Sequence, residues 1–134
     1  MVVNPSSATD PVSVDITKKR VYLWFRGFLS VTEAQRLHEG YRRAIDRVGR
    51  GYTAVSIFEN YIPGKEDVQE VISKMILMAN DSGCRSAARV AEGSVFGQLQ
   101  LGRLQREVKA EYPVKDCKTL AEAEAYLDSL SDEA

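Results

Sequence analysis

Residues 21–48, VYLWFRGFLSVTEAQRLHEGYRRAIDRV, decide the fold class. They open as a strand, Val21–Phe28, in which Val21, Leu23 and Phe25 alternate with Tyr22, Trp24 and Arg26. A period of two sends the two sets to opposite faces of a sheet. Ser30-Val31-Thr32-Glu33 then has the form of a capping box, in which a hydroxyl and a carboxylate satisfy the first free amides of a helix. Behind it Ala34, Leu37, Tyr41, Ala44, Ile45 and Val48 recur at helical spacing and make one apolar stripe. Gly49 and Gly51 stop that helix, and Arg42, Arg43, Arg47 and Arg50 crowd its C-terminal end, where cations suit the dipole.

The strand-then-helix cadence recurs three times downstream. Thr53–Phe58 precedes a stripe of Val68, Val71, Ile72, Met75, Ile76 and Met78, with Asn60–Glu66 as the loop between. Ala87–Ala91 precedes Phe96, Leu99, Leu101, Leu104 and Val108, and Val114–Cys117 precedes Ala123, Tyr126, Leu127 and Leu130. Thr119-Leu120-Ala121-Glu122 reads as a second capping box. Upstream of Val21, the alternation of Val12, Val14 and Ile16 and the polar run Thr17-Lys18-Lys19-Arg20 predict an edge hairpin. The order predicts an α/β fold: a mixed sheet of about five strands, with an antiparallel edge hairpin and the remainder parallel, and about four helices. One domain over residues 12–130 accounts for it, with residues 1–11 expected as a disordered lead-in and 131–134 as a frayed tail.

Composition narrows the function classes. A formal net charge of −1 argues against a nucleic-acid binder that works through bulk electrostatics. No run approaches the roughly 20 apolar residues of a membrane span. Met1–Pro11 lacks the basic and apolar regions of a secretory signal, so a cytoplasmic location is expected. Cys84 and Cys117 stand far apart without companion ligands, which reads as two free thiols in a reducing compartment and no metal site.

Catalytic chemistry is not expected. His38, the single histidine, sits mid-helix beside Leu37 with no nucleophile motif near it. Glu66-Asp67 and Glu122/Glu124 fall in the first turns of helices, where carboxylates serve the dipole. No nucleophile elbow, zinc-protease helix, P-loop or redox Cys pair occurs, and no cofactor is implied.

The element order, the Val90-Ala91-Glu92-Gly93-Ser94 strand-to-helix junction and the closing helix from Thr119 to Leu127 together resemble the SpoIIAA-like, or STAS, superfamily. The likeness is one of pattern and covers about Val12 to Leu130. It implies a regulatory protein-interaction module. The anti-sigma-factor antagonists of that family carry an acid–serine pair with a glycine where the second parallel strand meets its helix, and a kinase phosphorylates the serine. Here that stretch reads Asn60-Tyr61-Ile62-Pro63-Gly64-Lys65-Glu66-Asp67, with Lys65 where the hydroxyl is expected and no Ser or Thr between Glu59 and Ile72. A divergent member without the phospho-switch is the reading that results. Relatives of the Sec14 type keep a lipid or small-ligand role in view by analogy.

Two surfaces are candidates for that function. If Val21, Leu23 and Phe25 face the helices, Tyr22, Trp24 and Arg26 project from the other side, with Ser56 and Arg89 on neighbouring strands. Exposed aromatics beside arginines have the composition of an interface, here to a protein partner or a second copy in a homodimer. The Asn60–Glu66 loop is the second contact surface. The alternative is a small anionic or lipid ligand held between Lys65 and the Gly93-Ser94 helix start, at the C-terminal ends of the strands. Arg103, Arg106 and Lys109, spaced i, i+3 and i+6, read as a solvated face that suits the dipole.

Overall fold

Strands and helices form in the predicted order in the computed structural model of the chain, which describes residues 11–92 and 96–131. The elements are β1 (Val12–Asp15), β2 (Arg20–Phe28), α1 (Val31–Val48), β3 (Thr53–Ile62), α2 (Glu66–Ser82), β4 (Ser86–Glu92), α3 (Phe96–Glu107), β5 (Val114–Cys117) and α4 (Leu120–Ser131). They make an α/β domain with four helices on a five-stranded mixed sheet of order β1-β2-β3-β4-β5. β1 pairs antiparallel with β2, and every other neighbouring pair is parallel.

Each crossover from β2 onward steps one strand in the same direction. Right-handed crossovers that always step the same way lay their helices on one face. α1, α2 and α3 accordingly share a core with the inward residues of the sheet, among them Val21, Leu23, Phe25, Ala54, Phe58 and Ala87. The apolar stripe of α1 is buried as its spacing requires, and both arms of the Ser30–Glu33 capping box are made, each at 3.1 Å. Such a cap is worth roughly 0.5–2 kcal/mol of helix stability.

α4 departs from the series by crossing to the opposite face. There Ala123 and Leu127 pack against Tyr22, Trp24, Val55, Ile57, Ala88 and Val90. The small side chains Ala88 and Ala123 let helix and sheet approach closely. Fully burying Leu127 alone contributes about 1.5–3 kcal/mol.

β3 runs further than the apolar run of its sequence indicates. It continues through Asn60, which takes a left-handed φ of 51°, to Ile62, the register partner of Phe28. Gly27, at φ 54°, supplies the matching irregularity between Arg26 and Phe28 on β2. Asn and Gly tolerate this region because the first bonds locally with its short polar side chain and the second has no Cβ. The detour returns Tyr61 to the core, where its ring lies 5.8 Å from Phe25 and 5.4 Å from Phe58.

Candidate functional site

The face expected to be open is closed. Tyr22 is 3% and Trp24 5% exposed, because α4 lies over them. Ser56 and Arg89 are not their neighbours. In the parallel registers Ser56 pairs with Leu23 and with Arg89, so both belong to the face under α1–α3. The expected surface of Tyr22, Trp24, Arg26 and Arg89 is therefore split across the two sides of the sheet. Arg26 alone reaches the protein surface beside Trp24. It stacks 5.3 Å above that ring and pairs with Glu59 at 2.7 Å.

A partly buried charge cluster also ties α4 to the sheet, centred on Arg20, which the sequence reading placed in a turn. Arg20 is fully buried, and its Nε donates to Thr53 Oγ1 at 3.0 Å. Its Nη1 lies 2.6 Å from a Glu124 carboxylate oxygen and 3.0 Å from Asp128, both on α4. Tyr22 Oη donates to Glu124 as well, at 2.9 Å, while Nη2 of Arg20 is buried without a hydrogen-bond partner. Burial, reinforced by the Glu124 carboxylate, raises the Tyr22 phenol above its ordinary range. Asp128 shows the opposite balance: burial opposes its charge, but hydrogen bonds from Arg20 and Lys18 outweigh that and hold its carboxyl below the usual range.

At the other candidate, the C-terminal ends of the strands, Lys65 occupies the N-cap of α2 and makes no side-chain capping bond. Gly93 and Ser94, its proposed companions, lie outside the described residues. Strand order never reverses between β2 and β5, so this end lacks the crevice that a topological switch point opens in doubly wound sheets. The loop is instead tied to α3. Gln100 is buried, accepts from Tyr61 Oη at 2.6 Å and donates to the Gly64 carbonyl at 3.4 Å. Gly64 fits only without a side chain, since a Cβ there would stand 2.6 Å from that of Val68.

The same end carries the largest exposed apolar side chains near the sheet. Phe28 and Ile62, the register pair closing β2 and β3, are 58% and 57% exposed; Phe96 and Leu99, one turn apart at the start of α3, are 62% and 64% exposed. Tyr61 and Gln100 fix the two groups relative to each other. Sequence reading assigned Phe96 and Leu99 to the buried stripe of α3. Leu101 and Leu104 take that role, because the helix turns Gln100 inward to bind Tyr61 and Gly64.

Cys84 and Cys117 are free thiols on opposite sides of the sheet, one against the α1–α3 core and one under α4. Burial pushes the Cys84 thiol up to about 12. Burial and then the neighbouring Glu122 raise Cys117 to about 11. Among the described residues no cluster of three His, Cys, Asp or Glu side chains is placed to hold a metal ion, and no helix is long and apolar enough to cross a membrane. The chain matches no family model, no curated protein and no solved structure.

Proposed function

We propose that this chain is a non-enzymatic, regulatory protein-interaction module of STAS-like architecture that works without a serine phospho-switch. Its contact surface is the apolar rim of Phe28, Ile62, Phe96 and Leu99, not the sheet face of Tyr22 and Trp24. The observation that carries this reading is that four of the six large apolar side chains exposed among the described residues, Phe28, Ile62, Phe96 and Leu99, stand at one end of the domain. Exposed apolar side chains gathered in one region mark interaction sites in soluble proteins. Lys65 at the α2 N-cap supports the second half of the reading, since the position at which the resembling family presents its hydroxyl here bears an ammonium group.

A second copy of the chain is the partner to test first. Light scattering over a concentration series should give a mass above that of one chain for the wild type. Ile62→Asp and Leu99→Asp, both at exposed positions, should return it to a single chain with unchanged circular dichroism. A wild type that stays at one chain up to about 500 µM, well above the dissociation constants of specific interfaces, refutes self-association through the rim.

A further inference from the structure

Away from the rim, at the opposite end of α3, a surface groove of about 280 Å³ runs between the helix and the start of β5. Arg89, Arg106 and Lys109 line it with Gly102, Gln105 and Tyr112. Arg89 is held in place: Asp116 takes its Nε and Nη2 at 2.7 and 3.2 Å, and Gln105 Oε1 accepts from Nη1 at 2.9 Å. Gly102 makes the space it occupies. A Cβ there would stand 2.7 Å from Nη1 of Arg89 and 3.6 Å from Nη1 of Arg106, so two guanidinium groups converge on one point of the helix surface. Asp116 is the carboxylate that pairs with the first; among the described residues neither Arg106 nor Lys109 has an ion-pair partner. The neighbouring Arg103, by contrast, is taken up by Glu107 and Gln69. Converging like charges with one counter-charge leave the groove positive. Guanidinium forks match the two oxygens of a carboxylate or phosphate.

Beside the groove lies a partly open cavity of about 30 Å³ between the sheet and α2 and α3, lined by Leu23, Phe25, Ile72, Met75, Ala87 and Leu101. Gln105 and Tyr112 line both spaces. A cavity of that size holds about two waters, or the tip of a short hydrocarbon chain. It is too small for a long lipid tail.

We propose that this groove binds the oxyanion head of a small organic acid between Arg89, Arg106 and Lys109, with a short apolar tail passing Tyr112 and Gln105 into the cavity. The site is separate from the interaction rim and does not depend on it. The groove is shallow and open, which suits a compact ligand held by its charged head. Arg89 is the pre-oriented donor, fixed by Asp116 and Gln105, while Arg106 and Lys109 supply charge with no partner to displace.

Acetate, hexanoate and inorganic phosphate are the probes, titrated into isotopically labelled protein while amide resonances over residues 102–116 are followed. All three should give saturable shifts there, with hexanoate binding about sixteenfold more tightly than acetate, since the cavity takes about two of its methylenes, each worth roughly a factor of four. Arg106→Gln/Lys109→Gln, at two exposed positions, should lose at least about tenfold in affinity for all three probes while melting like the wild type. Ala87→Val narrows the cavity and should erase the preference for hexanoate without removing acetate binding. No saturable shift up to about 20 mM, or affinity kept within about twofold in the double variant, overturns the anion site. Equal affinities for acetate and hexanoate overturn the tail in the cavity.

Discussion

Glu124→Gln removes one charge from the cluster beneath α4 and keeps its shape, which isolates what the ion pair does. Arg20 is fully buried and would be left with Thr53 and with Asp128, whose side chain is 49% exposed. Taking one partner from a buried pair costs about 3–5 kcal/mol when the remaining charge has no other compensation. Glu124 is itself 29% exposed and Asp128 still stands at 3.0 Å, so solvent screening and the second carboxylate reduce that to about 2 kcal/mol. For a chain of this length the melting temperature should fall by about 8 °C. The paired replacement Arg20→Met with Glu124→Leu removes both charges and should recover about half of the loss, leaving a deficit of about 1 kcal/mol from the Tyr22 hydroxyl deprived of its acceptor. Trp24, the single tryptophan, lies under α4 and provides the local probe. Urea unfolding at pH 7, followed by tryptophan emission and by circular dichroism, reads both quantities. Glu124→Gln within about 0.5 kcal/mol of the wild type, or a double variant no better than the sum of its singles, would show that the cluster does not hold the helix.

Asp128 adds an acid limb to the same cluster. Its folded carboxyl titrates below the ordinary value of 3.8, so its contribution is complete above about pH 4 and fades as the pH falls through the lower, folded value. Stability from pH 6 down to pH 2 should therefore drop less in Asp128→Asn than in the wild type; parallel curves would contradict this. Lys65→Ser places a capping hydroxyl where α2 has none and should stabilise the protein by about 0.5–1 kcal/mol in a thermal melt, with a lowered melting temperature as the contrary result. Thiols raised to about 12 at Cys84 and about 11 at Cys117 carry little thiolate at pH 8. A disulfide reagent should label the native protein at least about a hundredfold more slowly than the protein in urea, and fast native labelling of either cysteine would contradict its burial.

The elements and their order were legible because each rests on a local period. Alternation at Val21, Leu23 and Phe25, the capping box at Ser30 and the stripe from Ala34 to Val48 all depend on residues within a few positions of one another. The free edge hairpin and the parallel remainder follow from that order through the handedness of crossovers. Less of the candidate sites was legible. Leu99 and Phe96 have the spacing of core residues, but the helix turns Gln100 inward, where it accepts from Tyr61 and donates to Gly64, and they face outward.

The amino-acid sequence by itself determined the α/β class, the edge hairpin, the α1 cap, the Thr119 hydroxyl that accepts from Glu122 N at the start of α4 and the buried stripe of α1, since these are properties of neighbours along the chain. Tertiary structure alone decided which side of the sheet α4 covers, because Arg20 and the α4 carboxylates it pairs with lie far apart along the chain. With that choice Trp24 became core instead of surface. Arg20, read as one of four polar turn residues, became a buried anchor for a carboxylate 104 positions away. The convergence of Arg89 and Arg106 over Gly102 is of the same kind. It depends on how closely α3 approaches β4, a distance set by packing that no spacing along the chain records.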